Sequence, residues 1–165
     1  MGFARILRHA FSLQWHTRRR FPAQALAAVE REIAVAERQH GGEIRVVIET
    51  RLDAGDLWAG VAPRARAEEV FQVQRVWDTE LNNGVLIYIL MADHDVEIVA
   101  DRGFNGRVTQ AEWEEVCRQM ETEFRAGHFP EAVIAGVKAT GALIARHFPP
   151  DTADRNELPD APVLS

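Results

Sequence analysis

Residues 85–91, V-L-I-Y-I-L-M, form one uninterrupted apolar run of β-branched, aromatic and aliphatic side chains. A run of that length without polar alternation fits a central strand covered on both faces. Asp93, His94 and Asp95 break it with turn-forming chemistry. Residues 96–101 then carry enough β-branched side chains to return antiparallel. The stretch 77–103 therefore reads as a hairpin, and the rest of the chain is arranged around it.

Upstream, Pro22 suits the first turn of a helix whose buried stripe is Leu26, Val29, Ile33 and Ala36, ended by Gly41 and Gly42. Residues 43–50 read as a strand and residues 51–63, with Asp53, Gly55, Asp56, Gly60 and Pro63, as a loop. Residues 64–77 read as a helix with Ala67, Val70, Phe71, Gln74 and Trp77 inward. Strand, helix, strand makes a right-handed crossover, so residues 43–50 and 85–91 are expected to lie parallel. The hairpin then makes the sheet mixed. Thr109 and Glu112 form a capping box ahead of the stripe Trp113, Val116, Cys117, Met120 and Phe124. A last helix opens at Phe129-Pro130 and turns Val133, Ile134, Val137, Gly141, Ile144 and Phe148 inward. Gly136 and Gly141 would each cost about 1 kcal/mol inside a helix, which points to close packing on the sheet. Residues 151–165 are polar, with Pro159 and Pro162, and read as a tail on the surface or disordered. The expected organisation is a basic segment at residues 1–20, one α/β domain at 21–150 and the tail at 151–165.

Charge is divided unevenly. The net charge of −6 conceals five arginines and no acid before Phe21, leaving 14 basic against 25 acidic residues beyond it, a body charge of −11. An acidic body argues against nucleic acid as a partner, since that needs a basic footprint, and suits cations or basic partners. Within residues 1–20, Phe3, Ile6, Leu7, Ala10, Phe11 and Trp15 follow helical spacing among arginines and histidines. Two readings stand: the segment lays its apolar stripe on its own domain, or it makes a peripheral contact with anionic lipid or an acidic partner. The sequence contains neither a signal-peptide pattern nor a membrane-span run, and its single cysteine permits no internal disulfide. The expected setting is the cytoplasm, with residues 1–20 as the means of reaching the inner membrane.

The hairpin brings separate acidic segments to one end of the sheet. Asp78, Glu80 and Asn83 should gather near Asp101, three acids and an amide of the kind that hold a hard divalent cation. The structural alternative is that Asp78 or Asn83 caps chain ends and Asp101 pairs with Arg102 or Arg45. A second cluster, Asp53, Asp56, Asp93 and Asp95, belongs to the opposite end, where the carboxyl ends of parallel strands favour ligands. Turn chemistry alone also accounts for Asp93 and Asp95. The strand followed by D-H-D-V resembles the aspartyl nucleophile motif of haloacid-dehalogenase-type phosphatases, without the crossover helix that motif expects. The six histidines show no H-x-x-x-H spacing. His40 reads as a helix-end cap, Cys117 as a buried inert thiol, and Trp77 and Trp113 as core aromatics.

Several pieces in this order resemble the TPM domain family, in its short bacterial branch. They are G-E-I-R-V-V-I-E at 42–49, A-E-E-V-F at 67–71, T-E-L-N-N-G-V-L-I-Y at 79–88 and V-E-I-V-A-D-R-G at 96–103. The helix at Trp113, H-F-P at 147–149 and N-E-L-P-D at 156–160 complete the set. The resemblance implies a three-layer α/β/α sandwich with a small mixed sheet and four or five flanking helices. It also implies a divalent-cation-binding and protein-interaction module near the membrane, with Ca2+ or Mg2+ as the ion. The alternative it offers is a metal-assisted acid phosphatase, whose catalytic residues the sequence does not single out.

Overall fold

Two parallel strands, β1 (Glu43–Glu49) and β2 (Gly84–Leu90), form the middle of a four-stranded sheet and are buried along their whole length. The computed structural model describes residues 3–150 and 156–165. The hairpin partner β3 (Asp95–Ala100) runs antiparallel to β2, pairing Val85 with Ala100 and Ile87 with Ile98. A two-residue strand, β4 (Val163–Leu164), lies parallel to β1 on its other side, giving the order β3-β2-β1-β4.

Alternation along the strands sorts side chains to two faces. Ile44, Val46, Ile48, Val85, Ile87, Ile89, Val96 and Ile98 meet three helices, α3 (Ala23–Glu37), α6 (Gln110–Ala126) and α7 (Phe129–Ala145). Val47, Leu86, Tyr88, Leu90 and Val99 meet α5 (Pro63–Val73), the crossover helix, through Ala67 and Val70. Full burial of each such aliphatic side chain contributes roughly 1.5–3 kcal/mol. The mixed sheet between two helical layers is the expected sandwich. Among the described residues it carries seven α-helices rather than four or five.

The extra helices come from two places. Residues 51–63 hold a short helix, α4 (Ala54–Ala59), capped by Asp53, which accepts from the Asp56 N–H at 2.8 Å, and closed by Gly60 at φ 73°. The basic segment is two helices, α1 (Phe3–Phe11) and α2 (Gln14–Arg20), with a break at Ser12 and Leu13. Residues 1 and 2 of the expected segment lie outside the described residues.

Three further expectations are corrected. Trp77 is 48% exposed, because α5 ends at Val73 and its tryptophan falls in the following loop. Trp113 is buried as expected. Gly136 and Gly141 serve helix–helix packing rather than packing on the sheet. A Cβ at Gly136 would overlap the Met120 sulfur of α6, and one at Gly141 would press on Ala36 and His40 beside α3. The tail reading at 156–165 is also replaced, while residues 151–155 lie outside the described part. The tail segment returns to the sheet. Its Ser165 N–H donates to the Ile48 carbonyl at 3.0 Å, and Thr50 N–H donates to the Ser165 carbonyl at 2.8 Å. Arg45 donates to the carbonyls of Pro159 and Ala161 at 2.6 and 2.9 Å, and Leu158 N–H donates to Glu43 at 3.1 Å.

Beyond β1 stands β4. At the outer edge of β3, the Ile98 carbonyl accepts from Arg64 at 2.6 Å, and the Ile98 N–H donates to the Cys117 sulfur. Burial, then Glu97, push the Cys117 thiol up to about 12, so it is inert as expected. Leu158 is 6% exposed and anchors the returning tail in the α5-side core. Leu158→Ala is expected to lower the unfolding free energy by about 2 kcal/mol in urea titrations, with an unchanged m value.

Candidate functional site: two ends of opposite charge

The hairpin brings the first predicted cluster to the end of the sheet where β1 and β2 begin. Asp101 N–H donates to the Gly84 carbonyl at 2.9 Å, directly across the β2–β3 ladder. Gly84 has no room for a Cβ, which would overlap the Val76 carbonyl oxygen. The Val76 backbone therefore lies directly against Gly84, and those of Leu81 and Asn82 against Gly103. Within that group Asp78 is held by Arg75 at 2.5 Å on the surface. Asp101 caps a 3-10 turn, Arg102–Phe104, its Oδ1 accepting from the Arg102 N–H at 2.7 Å, while its Oδ2 is buried without a hydrogen-bond partner. Asn83 is turned to the other face. Its Nδ2 donates to the Gly41 carbonyl, its backbone N–H donates to the Thr79 hydroxyl at 3.0 Å, and its Oδ1 is buried without a partner.

The returning tail adds acids to this end that the hairpin argument did not include. The Glu80 N–H donates to the Glu157 carboxylate at 3.1 and 3.2 Å. Glu37 accepts from the Ile44 N–H at 3.0 Å and shares a hydrogen bond with Asp160, with Glu43 nearby. Burial, reinforced by the charges of Glu43 and Asp160, pushes the Glu37 carboxyl up to about 8.

The second cluster occupies the opposite end, where β1 and β2 finish, and its acids serve separate roles. Asp53 caps α4, and Asp56 lies 3.9 Å from Arg66. Asp93 receives Arg5 Nε at 2.8 Å and Arg8 Nη2 at 2.9 Å. His9 is fully buried. Its Nδ1 accepts from the Leu52 N–H at 3.2 Å, which leaves the proton on Nε2, facing Asp93 Oδ2 at 3.2 Å. Burial alone would raise the Asp93 carboxyl, but the hydrogen bonds and charges of Arg5 and His9 outweigh it and hold the group below the usual range. Asp95 stands apart on β3, where burial and the charges of Glu97, Glu121 and Asp93 push it up to about 6. The resemblance to an aspartyl nucleophile ends here, since Asp93 is committed to two arginines and His9, and the following residues are β3, not a helix. Among the described residues, no group of three or more His, Cys, Asp or Glu has metal-ligand spacing.

The TPM domain profile matches residues 19–143, about three quarters of the chain. The chain belongs to the TPM domain family. It is similar to the BA42 protein of the psychrophilic bacterium Bizionia argentinensis at 30% identity, with a TM-score of 0.75 over 86% of this chain and 92% of that one. The N-terminal domain of a protein from P. gingivalis shares the fold, at 18% identity and a TM-score of 0.57 over 72% of each chain. No curated protein matches the sequence.

The TPM match leaves α1, most of α2 and β4 outside it. Arg5, Arg8 and His9 thus come to Asp93 of the TPM domain from beyond the matched span. No sequence periodicity announces that contact. The signal available was the surplus of arginines before Phe21 facing an acid at the end of a buried strand. Glu157 and Asp160 were similarly concealed by a tail with no strand pattern.

Glu37 provides a pH test of the acidic end. Its folded-state value lies above its ordinary 4.5, so its contribution to stability is full below that value and is lost as pH rises through about 8. Glu37→Gln keeps a hydrogen-bond donor and removes the titration. The stability of this variant relative to wild type, from urea unfolding, is expected to rise by about 1–3 kcal/mol between roughly pH 5 and pH 9.

Proposed function

We propose that this TPM domain protein is a non-enzymatic module that binds a divalent cation, calcium or magnesium, and a protein partner near the membrane. The observation that supports the cation most directly is Asp101 Oδ2, buried without a hydrogen-bond partner where β3 ends opposite Gly84. A buried acceptor without a partner costs about 1–3 kcal/mol, more when charged, and a hard cation offsets that. Calcium takes six to eight oxygens from carboxylates, carbonyls and water, and magnesium keeps much of its water shell. Asp101, Asp78, Glu80 and Glu157 are the side chains that would hold the ion. Asp78 must leave Arg75 to do so, and an exposed pair of that kind is worth at most about 1 kcal/mol. An ion held there would join the crossover loop, the end of β3 and the tail.

Two surfaces support the rest of the reading. Trp77 and Leu81, 48% and 57% exposed, flank the acidic end and suit a protein partner. At the other end, α1 docks through its polar side, with Arg5 and His9 turned to the body. Leu7, Phe11, Leu13 and Trp15 are left exposed, Phe11 by 74%. These four side chains thus face outward among Arg8, Arg18 and Arg19, the composition that suits a peripheral contact with anionic lipid. No helix among the described residues is long and apolar enough to cross a membrane.

Calorimetric titration with calcium and with magnesium tests the cation site. Wild type is expected to bind at least one of them, and Asp101→Asn to weaken binding tenfold or more. Absence of binding in wild type, or wild-type affinity in Asp101→Asn, would refute the assignment. Hydrolysis of phosphate esters that disappears in Asp101→Asn would replace it with a metal-assisted phosphatase.

A further inference from the structure

The two ends of the sheet each leave large apolar side chains in water, and they do so among charges of opposite sign. Where β1 and β2 begin, residues 73–81 present Val73, Trp77 and Leu81, exposed by 69%, 48% and 57%. Asp78, Glu80 and Glu157 are exposed at the same end. Asp78 is paired with Arg75, which leaves Glu80 and Glu157 as the charges on offer. The loop is fixed from within, since Val76, Thr79 and Asn83 are buried. Arg75 and Asn82 take left-handed backbone, φ 56° and 54°, and Arg102 Nε donates to Asn82 Oδ1 at 2.8 Å. A loop anchored in this way presents Trp77 and Leu81 with little ordering left to do, and apolar groups rimmed by charge mark an interaction surface. Where the strands finish, α1 and α2 present Leu7, Phe11, Leu13 and Trp15, with Arg18 and Arg19 exposed beside them and Arg19 over the Trp15 ring at 5.4 Å. The two surfaces are complementary in charge and alike in apolar content. One copy cannot bring them together. Its seven-residue strands hold the ends about 20 Å apart, and Arg5, Arg8 and His9 pin α1 to Asp93.

We infer that the acidic end of one copy binds the α1–α2 face of a second copy, head to tail, with Trp77 and Leu81 packed on Phe11 and Trp15, and Glu80 and Glu157 facing Arg18 and Arg19. The contact rests on the proposed role of Trp77 and Leu81 in binding a protein and names that protein; it needs no cation. Complementary charge steers and aligns the encounter, and the aromatic side chains supply the contact area. The contact is heterologous, so each copy keeps one surface of either kind and association continues by addition at the ends. Anionic lipid competes for the α1–α2 face, so a copy held on a membrane presents only its acidic end. A cation held by Glu80 and Glu157 offsets the same charges that draw the second copy in.

Sedimentation velocity of the full chain, in a divalent-metal chelator and without lipid, tests the contact. The average mass is expected to rise with concentration from about 0.1 mM upward in low salt, and to return to the monomer value in about 0.5 M sodium chloride. Phe11→Ser and Trp77→Ser, both at exposed positions, are each expected to weaken association about tenfold or more. An equimolar mixture of the two variants separates a head-to-tail contact from every other. The intact acidic end of Phe11→Ser meets the intact basic face of Trp77→Ser, and the mixture is expected to form a one-to-one dimer and nothing larger. A wild type that is monomeric at every concentration, variants that stay apart when mixed, or association unchanged in either variant overturns the assignment. A wild type that stays monomeric yet binds vesicles containing phosphatidic acid gives the α1–α2 face to lipid alone and overturns it too. Because the chelator removes metal ions, each of these outcomes stands apart from the calorimetric test of the cation site.

Discussion

Strand β2 has no side that tolerates water, and the architecture follows from that constraint. Seven consecutive buried residues cannot be covered by one layer, so helices stand on both faces and the connection from β1 must cross over. The one polar group in the strand is handled inside the core. The Tyr88 hydroxyl donates to Glu49 at 2.5 Å, and Glu49 is fixed by two hydrogen bonds from Arg66 of the crossover helix, at 3.0 and 2.9 Å. The phenol is held well above its usual range, by burial first and by Glu49 second, and Arg66 is raised in turn by its bonds to that carboxylate. The crossover is thus tied to the strands by a charged bridge as well as by Ala67 and Val70.

The same strand separates two electrostatic environments. Where β1 and β2 begin, the chain collects Glu37, Glu43, Asp78, Glu80, Asp101, Glu157 and Asp160, and burial first, with the charges of Glu43 and Asp160, raises Glu37 to about 8. Where they end, Asp93 draws in Arg5, Arg8 and His9, and Arg20 settles on Phe129. The acidic pole is built by the TPM domain and the tail. The basic pole is built by helices lying almost wholly outside the family match.

The elements legible in the sequence were those whose apolar spacing is long and regular. The V-L-I-Y-I-L-M run, the stripe of Val29, Ile33 and Ala36, and the Thr109–Glu112 capping box all stand where periodicity placed them. Short elements carried too little pattern. Helix α4 spans six residues and β4 two, and β4 depends on Arg45 binding the Pro159 and Ala161 carbonyls. The N-terminal stripe was read correctly as amphipathic, but its orientation followed from Asp93, a residue far along the chain that needed cations. The hairpin register located Asp101 opposite the start of β2, whereas the inward turn of Asn83 depends on the Gly41 carbonyl and could not be read from spacing.

One margin of the sheet is the two-residue strand Val163–Leu164, and at the other, β3, the backbone of Ile98 is bonded by Arg64 and Cys117. An exposed strand edge invites copies to join in an endless ladder. Margins this short and partly bonded give such a ladder little to start from, which directs association to the poles and the helical surfaces, where each contact ends with a single partner.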